Sequence, residues 1–149
     1  MMDITRHNVK GFEHVLVGRE ARSELRAVIA VHSTVLGPSL GGIRMFPYDD
    51  QSDAIRDATR LARAMTRKAA INGLEVGGGK AVIIGDPQHD KSPQLLAAMG
   101  EFIDTLEGQY VGGEDAGINA RDVDVMARHT DHVLGTSATR GGSGEPREV

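Results

Sequence analysis

The chain has 149 residues, enough for one domain with a sizeable core. A net charge of −4 argues against nucleic acid as the main partner, because phosphate binding needs a concentrated basic face. The absence of cysteine excludes disulfides and thiolate metal sites and is compatible with the cytoplasm, the expected location. No apolar run approaches the ~20 residues of a membrane span, and Met1–Arg6 lacks a signal-peptide core.

Two β-like runs open the chain, Glu13–Val17 and Leu25–His32, joined by the charged stretch Arg19–Glu24. They predict an antiparallel hairpin. Few residues precede it, so its edge must be covered or paired, and it is a candidate dimer surface. From Leu36 to Met45, Gly37-Pro38 and Gly41-Gly42 read locally as a wide loop between strands. Gly41-Gly42 could also present bare backbone N–H groups to a small anion.

Ala54, Ile55, Ala58, Leu61, Ala62 and Met65 recur at three- and four-residue steps and predict a helix over 52–70. Ser52 is the expected N-cap, and Asn72-Gly73 the stop. Arg56, Arg60, Arg63 and Arg67 form a solvated face. Lys68 falls off that face, beside the apolar stripe, where it either snorkels or turns into a pocket.

Gly77-Gly78-Gly79-Lys80 then leads into the apolar run Ala81–Ile84. The glycines read as a turn, with Lys80 at the mouth of a buried strand, where desolvation favours its neutral form. Ser92-Pro93 starts a second helix whose stripe includes Leu95, Leu96, Met99, Phe102 and Ile103, ended by Gly108. Tyr110-Val111 is a short strand before Gly112-Gly113-Glu114-Asp115-Ala116-Gly117. Its two carboxylates form either a site or an acidic turn capping the next helix. Asn119 and Asp122 have capping-box spacing. His129 and His132 stand three apart with no third ligand near, so no metal site is assigned. Val133-Leu134 is a last short strand. The order is two strands, a third left open between strand and loop at 36–45, then α-β-α-β-α-β: an α/β domain with a mixed sheet and helices packed on it.

Two nucleotide motifs fail against the glycine run. A phosphate-binding loop needs glycine six residues before the lysine and Ser or Thr after it; here Leu74 and Ala81 stand there. A dinucleotide fingerprint follows a strand and opens a helix, the reverse of the order here.

Leu36-Gly37-Pro38-Ser39-Leu40-Gly41-Gly42-Ile43-Arg44, Met65-Thr66-Arg67-Lys68, Gly77-Gly78-Gly79-Lys80 and Gly113-Glu114-Asp115-Ala116-Gly117 occur in that order. This set resembles the glutamate/leucine/phenylalanine/valine dehydrogenase superfamily, nearest its leucine and phenylalanine branch, over about 13–146. The resemblance implies a single three-layer-like domain, residues 1–134, of the amino-acid dehydrogenase N-terminal type. Residues 135–149 would be a glycine-rich tail toward an absent dinucleotide-binding domain. It also implies a homodimer or higher homo-oligomer, an amino acid or 2-oxo acid as ligand, and NAD in the full-length family, with no cofactor-binding residue in this chain.

By the same resemblance, Lys80 is the lysine whose neutral form activates water, and Asp115 its partner in proton transfer. Lys68 holds the substrate α-carboxylate, Gly41 flanks the substrate, and Leu40 and Met65 line an apolar side-chain pocket. An ordinary parallel crossover from a strand beginning at Ala81 would put Lys80 and Asp115 at opposite strand ends, about 15 Å apart at roughly 3.3 Å per residue. Convergence thus requires an antiparallel pairing or a different local path. Two further readings stay open: a standalone amino- or oxo-acid-binding protein or lysine-dependent imine enzyme without redox activity, and a vestigial dimerisation module.

Overall fold

The computed structural model describes residues 1–135; the tail expected at 135–149 thus falls outside the described residues but for Gly135. Six strands and three helices follow one another as β1 (Asp3–Arg6), β2 (His14–Glu20), β3 (Leu25–Val31), β4 (Ser39–Phe46), α1 (Gln51–Ile71), β5 (Gly77–Ile84), α2 (Pro93–Asp104), β6 (Tyr110–Gly113) and α3 (Ala120–Ala127). The sheet order is β1-β2-β3-β5-β4-β6. Pairing is antiparallel from β1 to β5 and parallel among β5, β4 and β6. The sheet is therefore mixed, as expected.

Alternation along β5 divides the core between two faces. Val82 and Ile84 pack with Ala54, Ala58 and Ala62 of α1. Ala81 and Ile83 pack with Leu95, Met99, Phe102 and Ile103 of α2 and Val123 and Met126 of α3. This gives three layers: α1, the sheet, and α2 with α3.

The β2–β3 hairpin forms as the sequence implies, with His14 opposite Val31 and Glu20 opposite Leu25. The Ser92 cap with Pro93, the Asn72 stop and the Asn119–Asp122 capping box also form. Several local readings change. Residues Ser39–Phe46 are a central strand rather than a wide loop, because β4 pairs with β5 on one side and β6 on the other. Asp50, not Ser52, caps α1: its carboxylate accepts from the Asp53 N–H at 2.9 Å, which Ser52, already inside the helix, cannot do. Helix α2 ends at Asp104, before the turn that contains Gly108. Val133 contributes only an isolated bridge to Gly112. Asp3–Arg6, which carries no apolar run, is an exposed edge strand beside β2.

The glycine run is the largest correction. Gly77, Gly78 and Gly79 are buried residues of β5, and none has a positive φ. Close packing is what requires them. A Cβ on Gly78 would lie 2.1 Å from the Ala62 carbonyl oxygen and 2.3 Å from the Thr66 nitrogen of α1. The Thr66 hydroxyl accepts from the Gly78 N–H at 2.9 Å and contacts His32 Nδ1 at 2.7 Å, fastening helix to sheet at this point.

Candidate active site

Lys80 is the fourth residue of β5, not a residue at its mouth. Alternation with Val82 and Ile84 places it on the α1 face, and it is 6% exposed. Its ammonium donates to the Asp115 carboxylate.

Register explains how two residues on parallel strands meet. Ser39 pairs with Gly77 on one side and Tyr110 on the other, so Lys80 and Gly113, three residues further along each strand, stand level. β6 has only four residues and ends there. The chain turns off the sheet beside Lys80 instead of continuing to the far end, so the crossover is parallel and the residues still converge.

The turn that carries Asp115 is tightly held. Asp115 and Ile118 exchange backbone hydrogen bonds of 3.2 and 3.0 Å, and the Met45 N–H donates to the Ala116 carbonyl at 2.9 Å. Gly117 takes a positive φ of 81°, and a Cβ there would lie 2.4 Å from the Met45 carbonyl oxygen, so it supplies the reversal where a side chain would clash. Beneath the turn, a Cβ on Gly42 would lie 2.7 Å from the Asp115 β-carbon. The bare backbone of Gly42 leaves the space that the carboxylate fills. The Tyr110 hydroxyl donates to the Gly41 carbonyl at 2.7 Å, and burial followed by the Asp115 charge raises its pKa.

Arg44 completes the cluster, and the sequence reading assigned it no role. Its Nε lies 3.7 Å from Asp115 Oδ2 and its Nη1 3.3 Å from Asp57 Oδ2. Asp57 in turn accepts from Tyr48 at 2.5 Å and from Arg60 at 2.7 Å. The missing signal was the identity of β4: once 39–46 is a strand, positions 40, 42 and 44 alternate onto the face that carries Lys80.

The other expected residues are less tightly gathered. Leu40 pairs with Gly78 and so shares the Lys80 face. Gly41 lies flat against β5, where a Cβ would meet the Gly79 carbonyl at 1.6 Å. Met65 is half-buried on α1, next to Thr66. Lys68 is exposed in the last turn of α1, where its charge suits the helix C-terminus, and no hydrogen bond joins it to Lys80 or Asp115. Glu114 is exposed, leaving Asp115 as the carboxylate of that loop which reaches the lysine. His129 Nδ1 lies 3.6 Å from Glu101, and His132 packs against Gly108.

A depression of about 480 Å³, lined by Lys91, Glu114, Asp115 and Asn119 among others, reaches Asp115 beside the start of α3. A larger one, about 550 Å³, is bounded by Phe46, Tyr48, Arg56, Asp57 and Arg60. Lys80 lines neither, so size alone does not locate the chemistry.

Burial alone would raise the Asp115 carboxyl. The Lys80 hydrogen bond, the Ala116 N–H and the charges of Lys80 and Arg44 outweigh it and hold Asp115 below its ordinary value. A depressed folded-state value stabilises the fold above the unfolded value, near pH 4, and that contribution is lost as pH falls through the folded value. Urea midpoints of wild type and Asp115→Asn should therefore differ at neutral pH and converge on acidification. A gap that stays constant with pH would contradict this linkage.

The glycine run offers no nucleotide cradle. Gly77 to Gly79 are enclosed by β3, β4 and α1, and a pyrophosphate has no access to them. Among the described residues no helix is long and apolar enough to cross a membrane.

A family model described as Glu/Leu/Phe/Val dehydrogenase, dimerisation domain, matches residues 14–138. Leucine dehydrogenase from Geobacillus stearothermophilus is 48% identical over 135 residues, covering 91% of this chain and 37% of the relative. Valine dehydrogenase from Streptomyces albus is 50% identical over 135 residues, with the same two coverages. Among solved structures, L-tryptophan dehydrogenase from Nostoc punctiforme superposes with a TM-score of 0.80 at 43% identity, covering 83% of this chain and 37% of that one. The chain thus spans little more than a third of the length of these relatives. With the family model covering most of its residues, the chain belongs to the Glu/Leu/Phe/Val dehydrogenase family and corresponds to that family's dimerisation domain.

Proposed function

We propose that this domain is the substrate-binding and dimerisation part of an NAD-dependent L-amino-acid dehydrogenase that converts an apolar amino acid to its 2-oxo acid and ammonia. The pairing of buried Lys80 with half-buried Asp115 is the observation that carries this reading. A lysine held against a carboxylate can exchange a proton with it, which suits a site where an amine is lost and water is added. Lys80 serves as the acid–base group at the reacting carbon, and Asp115 relays protons to and from the substrate nitrogen. Lys68 receives the α-carboxylate, Gly41 flanks it, and Leu40 and Met65 contact the side chain. NAD, when bound, accepts the hydride, and this reading assigns it to a separate nucleotide-binding domain. The test is turnover. Joined to a nucleotide-binding domain, the chain should deaminate leucine or valine with NAD and leave glutamate untouched, and alone it should turn over none of them. Robust turnover by the 149-residue chain alone would overturn this assignment.

We further assign the β1 edge to the dimer contact. Asp3-Ile4-Thr5-Arg6 is complementary to itself: antiparallel pairing about an axis between Ile4 and Thr5 sets Asp3 opposite the partner's Arg6. Asp3→Arg should weaken the dimer in sedimentation runs, and adding Arg6→Asp should restore it. An undiminished dimer in Asp3→Arg would place the contact elsewhere.

A further inference from the structure

We propose that Arg44 is the positioning residue of the Lys80–Asp115 pair: anchored on Asp57, it holds the Asp115 carboxylate in place against Lys80. This rests on the reading of Lys80 and Asp115 as the reacting groups.

The geometry is that of a strut. One end of the guanidinium meets Asp57 at 3.3 Å, and Asp57 is itself fixed by Tyr48 and Arg60. At the other end Nε is buried and donates no hydrogen bond among the described residues. A buried, unsatisfied N–H is costly, and its geometry here is directional. The acceptor it faces is Asp115 Oδ2, at 3.7 Å, the same oxygen that accepts from Lys80. A shift of about half an ångström brings Nε and that oxygen within hydrogen-bond distance. Arg44 therefore gives Asp115 a second donor to turn toward when substrate displaces the lysine, and keeps the carboxylate within reach of the lysine. The guanidinium's planar fork can face two carboxylates at once, which a lysine ammonium cannot do with the same fixed spacing.

The charged groups that meet the Asp115 carboxylate are Lys80 from β5 and Arg44 from β4; Lys91 and Glu114 line the same depression, and Tyr110 of β6 feels the charge from the opposite face of the sheet. Its titration therefore reports on the strut directly. The experiment follows the Asp115 carboxyl carbon by NMR through acid titration of the 149-residue chain, without substrate, with Asp115→Asn supplying the assignment. Arg44→Met should raise the Asp115 midpoint by about one pH unit. Asp57→Asn, which removes the competing carboxylate and leaves the guanidinium to Asp115, should lower it. An unchanged midpoint in Arg44→Met overturns the proposal, and an unchanged midpoint in Asp57→Asn overturns the anchoring. If Arg44→Met does not fold, Arg44→Gln, which can still donate to Asp57, decides by the same criterion. Because no substrate is present, this result stands apart from turnover: failure to deaminate leaves the midpoints intact, and failed midpoints leave turnover intact.

Discussion

Lys80→Met, in an enzyme that carries this domain, is expected to lower the deamination rate by about 10²–10⁴-fold, the usual contribution of a positioned acid–base group. The fold should survive. Methionine is nearly as long as lysine and apolar, and Lys80 is buried between Gly78 and Val82 on the face beneath α1. What disappears is the proton donor and acceptor against Asp115, together with one of the two cations that depress its carboxyl. Steady-state kinetics beside a thermal melt separates the two effects. A rate within a few-fold of wild type in a folded variant would remove Lys80 from the chemistry.

Gly78→Ala should have the largest effect on stability. Its added methyl would meet backbone atoms of α1 at 2.1 and 2.3 Å, and backbone in the middle of a helix cannot rotate aside. Relief requires lifting α1 from β5, which also breaks the Thr66–Gly78 hydrogen bond. The cost should reach about 3 kcal/mol, the upper end of ordinary overpacking. For a domain of this size that is a fall in Tm of roughly 10 °C. Gly113→Ala is the control: its nearest non-adjacent atom is 3.3 Å away, and its cost should stay within about 1 kcal/mol. Equal melting temperatures for the two variants would mean that the glycines are not there for close packing.

Gly78 also shows where sequence reading reaches its limit. Glycine in a local window signals a turn, because conformational freedom is its usual use. Here the reason for glycine is non-local, a helix packed so closely that no Cβ fits, and the residues it meets, Ala62 and Thr66, lie outside that window. The same blindness turned Ser39–Phe46 into a loop. Its glycines accommodate Asp115 and the β5 backbone, not a turn. Helices α2 and α3 were legible because their caps and apolar stripes are local, and the hairpin because its strands are consecutive.

Lys80 and Asp115 were legible as a pair only through resemblance to a family. Strand geometry argued against their meeting, since it began the lysine strand at Ala81. β5 begins at Gly77 instead, level with Tyr110, so Lys80 stands level with the end of β6, and glycines that read locally as a turn hide that start. Arg44 stayed hidden for a related reason: its role depends on a strand identity and on a register across three strands. Lys68 is the reverse case. Its assignment comes from resemblance alone, and in the structure its side chain is exposed and joined to neither member of the pair.

Whether Lys80 and Asp115 form an oxo-acid site is decided by an amide-resolved NMR titration of the 149-residue chain with 4-methyl-2-oxopentanoate, the 2-oxo acid of leucine. Saturable shifts are expected at Leu40, Gly41, Lys80 and Asp115, weakened in Lys68→Ala. Shifts confined to the Phe46–Arg60 depression, or none at Lys80 and Asp115, would contradict that assignment.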